Sequence, residues 1–357
     1  MPSEKAMDNL KKYYTTIYAQ CFSPCQKYLV AASNYGEIAV FAASEFLSNE
    51  ETEAEDHSRD PIYKFQAHSS SIFALVMSED FLISGGNGEI LAWDWSSLKK
   101  KSAKKSWSLS IPQGENIVQP EVNTLVLTGK DSEQRVLLAG CGDNKVYAWD
   151  IETRILLSTF DRHVDYIHAL AVKANNVEVF SASEDGSVKL WDLRTPAKEV
   201  SCIEPFKNEE LQRPRYGKWI GCVGLDSSDE WVICGGGPTL CIWHTRSLSP
   251  VTPLSDLKRP AHVAHFYSDM VVAAGGRSEC LPLELQRRPE SQGGDVRIQP
   301  LQHRAQRGGP IQGPLCCWVK PQDPCLHKLF VQGFFPEVLV PLLLSILFGL
   351  SYRLVFR

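Results

Sequence analysis

His163, Ser181 and Asp185 are the side chains whose types could carry nucleophilic chemistry: an imidazole to take a proton, a hydroxyl to attack and a carboxylate to orient the ring. Such catalysis also needs an exposed, sharply presented Ser and donors for an oxyanion. The stretch VFSASEDGSVKLWD (179 to 192) has a signature of neither, so a hydrolase-like triad is the weaker reading of these residues.

Other groups that could do chemistry lack the required spacing. The 11 cysteines are odd in number and mostly sit in apolar, strand-like runs, which reads as buried or free thiols in a reducing compartment. Cys21 and Cys25 flank a turn, and Cys316, Cys317 and Cys325 have no matching His pair, so no metal is expected. GGGP (235 to 238) is not followed by Lys-Ser or Lys-Thr and lies in a strand turn, which excludes a phosphate loop. No cofactor and no small-molecule substrate are expected.

Two charged stretches stand out. Lys99, Lys100, Lys101, Lys104 and Lys105 fall within seven residues and read either as a nuclear-import or phosphate-contact run or as a solvated loop. NEETEAEDHSRD (49 to 60) reads as an acidic loop. The whole chain carries a net charge of -5, so no global positive field draws it to polyanions, and any RNA contact is expected to be indirect.

The elements that must position these residues recur along the chain. YLVAASNYGEIAVF (28 to 41), FLISGGNGEILAWDW (81 to 95), VLLAGCGDNKVYAWD (136 to 150), VFSASEDGSVKLWD (179 to 192) and WVICGGGPTLCIWH (231 to 244) are each two strand-like runs around a Gly, Asn or Asp turn. Their aromatic ends, Phe41, Trp93, Trp149, Trp191 and Trp243, lie 42 to 56 residues apart, close to the length of a four-stranded propeller blade with loop insertions. An apolar run precedes each hairpin as an inner strand, at 15 to 20, 71 to 77, 121 to 127, 166 to 172, 219 to 225 and 262 to 267. Outer strands are expected at 62 to 66, 106 to 111, 155 to 160, 199 to 203 and, more weakly, 251 to 254.

The pattern resembles the WD-repeat family most closely at 163 to 192, where His163, Ser181, Asp185 and Trp191 sit at that family's spacing before Asp192. The resemblance implies an all-β, seven-bladed WD40-type β-propeller and gives these four side chains a structural role. Asp185 accepts from His163, His163 orients the Ser181 hydroxyl, and the Trp191 N–H ends the relay. Elsewhere the pattern is degraded: Asn87 stands in the turn after His68, Glu121 where a third His would stand, and Gly237-Pro238 in the fifth turn. Only the blade around Trp191 is expected to hold a complete relay.

Further stretches are more distinctive: SPCQKYLVAASNYGEIAVF (23 to 41), FQAH (65 to 68), HVDYIHALAV (163 to 172), SEDGSVKLWDLRT (183 to 195), RPRYGKWIGC (213 to 222) and CGGGPTLCIWH (234 to 244). From about residue 10 to 276 they resemble a family of WD-repeat subunits of the THO complex, the core of the nuclear transcription-export assembly. That resemblance implies a non-catalytic scaffold, with other THO subunits and export adaptors as partners, located in the nucleus. A rival reading takes Trp191, Asp192 and Arg194 as the WDxR motif by which some propellers dock onto cullin-RING ubiquitin ligases.

The expected organisation is an N-terminal arm or short helix at 1 to 14, an incomplete propeller at 15 to 276 with about five and a half readable blades, and an irregular tail at 277 to 357. The start lacks a secretory signal, and 338 to 350 is apolar but shorter than a bilayer span and interrupted by Pro341, so membrane association is not expected. Gly, Pro, Gln and Arg dominate from 277 to about 314. The tail reads as an anchor, a docking segment or, preferably, out-of-context sequence, because nothing in it alternates like a strand that could cover an open blade face.

Overall fold

The computed structural model describes residues 11, 14–43, 61–112, 119–129, 134–195, 198–237, 239–254, 261–267, 270–275, 277–286 and 297–299. The acidic stretch at 49 to 60, most of the N-terminal arm, Cys316, Cys317, Cys325 and the apolar run at 338 to 350 lie outside them.

The described strands make six four-stranded sheets, each in chain order and with antiparallel neighbours. Sheet 1 holds β1 (Ile17–Phe22), β2 (Tyr28–Ser33), β3 (Glu37–Ala42) and β4 (Tyr63–Gln66). Sheet 2 holds β5 (Ala74–Met77), β6 (Phe81–Gly85), β7 (Glu89–Asp94) and β8 (Lys105–Ser110), with the short helix α1 (Trp95–Lys99) between the last two. Sheet 3 holds β9 (Val122–Leu127), β10 (Val136–Cys141), β11 (Val146–Asp150) and β12 (Leu156–Phe160). Sheet 4 is β13 (Ile167–Val172), β14 (Glu178–Ser183), β15 (Val188–Asp192) and β16 (Ser201–Ile203). Sheet 5 is β17 (Cys222–Leu225), β18 (Trp231–Gly236), β19 (Thr239–His244) and β20 (Pro250–Leu254). Sheet 6 is β21 (Ala261–Tyr267), β22 (Met270–Gly275), β23 (Arg277–Gln286) and β24 (Arg297–Gln299).

Burial follows position within a sheet. All six residues of β10 are buried, since a middle strand with both faces covered must be apolar throughout. The outer β8, KSWSLS, instead alternates, burying only Trp107 and Leu109. Within the first of two compact units, which holds the described residues up to 170 together with 193–195 and 198, sheets meet face to face. One core joins Val30, Ile38 and Val40 of sheet 1 to Leu82, Leu91 and Trp93 of sheet 2. Another joins Ile83, Ile90 and Trp107 of sheet 2 to Leu137, Tyr147 and Trp149 of sheet 3. The second unit, 171–192 and the described residues from 199 onward, repeats the device: Ile233, Leu240 and Ile242 of sheet 5 pack with Ala264, Val271 and Ala273 of sheet 6. In these pairs each sheet is too thin to hold a core alone and is stabilised by its neighbour within the unit.

The strand pattern does not stop at 276. β23 pairs with β22 from Met270↔Glu284 to Gly275↔Arg277, and β24 pairs with Glu284–Gln286, which completes a sixth sheet where the sequence reading expects an irregular tail. The signal is the alternation of Leu281, Leu283 and Leu285, masked by Pro282 and by the Gly- and Arg-rich composition around it. Pro282 precedes the three β23 residues that pair with β24, so its missing N–H interrupts none of those pairs.

Candidate functional site

Sheet 2 carries a buried polar chain that the sequence reading does not anticipate. His68, 3% exposed, lies between β4 and β5 with Nε2 2.8 Å from Ser84 Oγ and Nδ1 3.2 Å from Glu89 Oε1, while Trp93 Nε1 donates to Ser84 Oγ at 3.1 Å. Burial pushes the His68 pKa below its ordinary value, against the opposing pull of the Glu89 carboxylate, so the ring is neutral near pH 7. A proton on Nδ1 then serves Glu89, and Nε2 accepts the Ser84 hydroxyl proton, for which Leu91 O at 3.3 Å is the alternative acceptor. Relay geometry is therefore not confined to the blade around Trp191. Glu89, at the start of β7, performs the task for which Asn87 is too early in the turn; the Asn87 Oδ1 is buried without a hydrogen bond.

Strand register explains where this chain can exist. Trp93 stands opposite Leu82, and Ser84 is two residues further along β6 on the same face. The corresponding positions are Ser181 for Trp191, Ala139 for Trp149, Cys234 for Trp243 and Ala31 for Phe41. In sheet 4 Trp191 Nε1 donates to Ser181 Oγ at 2.7 Å, and Ser181 is fully buried, which removes it from the reach of a substrate. Asp185 accepts from the backbone and side chain of Ser187 at 2.8 and 2.6 Å, and His163 is 5% exposed between β12 and β13. Sheet 3 puts Ala139 beneath its Trp and pairs Tyr147 with Asp143 instead, at 2.6 Å. In sheet 5 a thiol occupies the Ser position, so the buried Trp243 indole nitrogen meets only the weak sulfur acceptor of Cys234.

RPRYGKWIGC packs on CGGG (234 to 237), the described part of the other distinctive stretch. Arg213 donates to the carbonyls of Gly236 and, at 2.7 Å, Trp219, and its guanidinium lies 5.8 Å from the Trp219 ring centre. A Cβ on Gly236 would come within 2.4 Å of the Trp219 carbonyl oxygen and 2.7 Å of its ring, so only Gly fits there. Gly237 turns the chain with φ of +58°, beneath Arg213 and Tyr216. His262 stacks on Trp219 with ring centres 6.3 Å apart.

The five lysines lie on an ordered turn. Lys99 ends α1, Lys100 N donates to Ser97 O and Lys101 N to Leu98 O, and Ala103 N donates to the Tyr63 hydroxyl at 3.0 Å. Lys104 O accepts from Asp94 N, and Lys105 opens β8 opposite Trp93. All five are exposed and, among the described residues, none is in an ion pair. Asp192 closes β15 half-buried, and Arg194 is exposed two residues later. Among the described residues no group of three or more His, Cys, Asp or Glu is placed to hold a metal ion, and no helix is long and apolar enough to cross a membrane.

Successive four-stranded antiparallel sheets, each a hairpin flanked by inner and outer strands, define a WD40-type β-propeller protein. The WD domain, G-beta repeat family matches residues 154–192, the blade that holds Ser181 and Trp191. Over 266 residues the chain is 42% identical to THO complex subunit 6 of Homo sapiens, covering 74% of this chain and 75% of that protein. It is 43% identical over 271 residues to the Danio rerio homolog, covering 75% and 80%, and 35% identical over 269 residues to the Drosophila melanogaster subunit, covering 75% and 73%. The chain belongs to the THO complex subunit 6 family.

Proposed function

We propose that this chain is a non-catalytic scaffold subunit of the THO/transcription-export complex, coupling transcription and mRNA processing to nuclear mRNA export through protein–protein contacts. The observation that carries the reading is relationship to THO complex subunit 6 across about three quarters of both chains. In support, the one Ser with a His and an Asp at relay spacing is buried beneath an indole. In this reading His163 and Asp185 complete with Ser181 and Trp191 the chain that His68 and Glu89 make in sheet 2, and their role is to fix a blade. The partners are other THO subunits and export adaptors, RNA is held chiefly by the assembly, and the protein resides in the nucleus, in speckles, with some in the cytoplasm.

Purification of the tagged full chain from nuclear extract tests this against the ligase reading. Recovery of THO subunits is expected, unchanged in an Asp192→Ala/Arg194→Ala variant. Recovery of a cullin-RING adaptor without THO subunits, lost in that variant, would overturn it.

A further inference from the structure

We propose that the turn bearing Lys99, Lys100, Lys101, Lys104 and Lys105 is a sequence-independent contact for the phosphate backbone of single-stranded RNA. That the polyanion is RNA rests on the function proposed above; the charge contact itself does not.

Five ammonium groups are gathered within seven residues of a chain whose net charge is -5, and no carboxylate among the described residues pairs with any of them. Their charge is thus left to counterions, which a polyanion would release on binding. The turn is also built, with its backbone tied to α1, to Asp94 and to the Tyr63 hydroxyl. This counts against a linear import signal, which is read as an extended, free peptide: Lys99 is helical, and Lys105 is held in a strand pair with Trp93. A rigid platform instead presents its charges without losing backbone freedom when it binds.

The surroundings decide which polyanion fits. Protein docking sites concentrate their energy in buried apolar or aromatic anchors. Here, among the described residues, the large exposed apolar side chains all lie elsewhere, none of them in sheet 2, and Trp107 and Leu98 beside the turn are buried. An acidic protein segment would find charge and no anchor. Exposed aromatics on which bases could stack are likewise missing from the turn, and lysines act as point charges with no planar fork. A phosphate backbone needs only the charge.

Fluorescence anisotropy of the full chain with a labelled oligouridylate, from about 50 to about 200 mM salt, tests the contact. Wild type is compared with a variant in which all five lysines are Gln and with one in which all are Arg. Since each phosphate neutralised on a single strand contributes about 0.7 to the slope of log K against log salt, the Gln variant is expected to have a slope shallower by about 3. Its affinity at the lowest salt should fall at least about tenfold, while the Arg variant keeps both values. An oligothymidylate should behave like the RNA. All five side chains are exposed and, among the described residues, free of ion pairs, so thermal midpoints should match and both variants should co-purify with THO subunits. Equal slopes for wild type and the Gln variant would overturn the proposal. So would a Gln variant that binds RNA normally but drops out of the assembly, which would identify an acidic protein as the true partner.

Discussion

A methyl group on Gly86 would sit 2.6 Å from Nδ1 of His68, and the imidazole cannot move aside because both its nitrogens are engaged, by Glu89 and Ser84. Gly86 is thus the wall against which the buried relay of the second blade is held. Gly86→Ala should destabilise the protein by about 1 to 3 kcal/mol, the cost of overpacking a filled core site. Gly142→Ala is the control, since its Cβ would meet nothing closer than 3.5 Å, and it should stay within about 0.5 kcal/mol of wild type. Urea denaturation of the two variants measures the difference, and equal midpoints would refute the packing argument.

Cys234 faces the same indole position as Ser84 and Ser181, yet it offers the Trp243 N–H above it only a weak sulfur acceptor. Burial drives the Cys234 thiol well above its ordinary pKa, so it is no thiolate acceptor. Cys234→Ser should supply a stronger acceptor, with the hydroxyl proton directed to the carbonyl of Cys241 across the hairpin, the counterpart of the Leu91 carbonyl 3.3 Å from Ser84 Oγ. A gain of about 1 kcal/mol is expected. The converse change, Ser84→Ala, should cost about 1 to 3 kcal/mol by stranding the N–H of Trp93 and the ring of His68. Should Cys234→Ser unfold at lower denaturant than wild type, the Ser position would not be equivalent between blades.

These positions show what the sequence could and could not reveal. Hairpins and flanking strands were legible because period-two burial and turn residues are local signals, and the Ser, Cys or Ala beneath each Trp was within reach too: it lies nine or ten residues before Trp93, Trp149, Trp191 and Trp243. Glu89 is not legible because the pattern places the turn residue at Asn87, whereas a longer side chain two residues on reaches the His68 nitrogen. β23 was missed because Pro282 and the composition around it hid a short alternation. KWIGC and CGGGP could be recognised as distinctive, but not as one packed unit, since Arg213 bridges them only in three dimensions.

Acid should weaken the protein through His68. Its folded pKa is lowered by burial, while the unfolded chain binds a proton near pH 6.5. Between those values the unfolded state holds more protons, so this contribution is complete above about pH 6.5, is lost as the pH falls, and stops changing below the folded pKa. Glu89→Gln removes the group that pulls the His68 pKa upward, so the loss should extend to lower pH. His68→Gln should remove this share of the pH dependence. Denaturant midpoints measured across this range for the three proteins provide the check, and identical pH profiles for wild type and His68→Gln would show that the ring is already free to ionise in the fold.

Arg213 offers the sharpest test of the fifth blade. Its planar guanidinium donates to two carbonyls, those of Gly236 and Trp219, while lying over the Trp219 ring, and burial lowers its pKa from the ordinary value. Lysine has the charge but neither the fork nor the flat face. Arg213→Lys should therefore rescue little: both Arg213→Ala and Arg213→Lys are expected to lose about 2 to 3 kcal/mol, the scale of charged hydrogen bonds whose buried acceptors are left unpaired. With nine tryptophans in the chain, the emission of each variant is compared with and without Trp219→Phe; the Trp219 share should shift to the red as its ring loses its cover, so the local change can be read apart from global unfolding. Full retention of stability by Arg213→Lys would mean that charge alone holds RPRYGKWIGC against CGGGP, and the geometric account of these two stretches would fail.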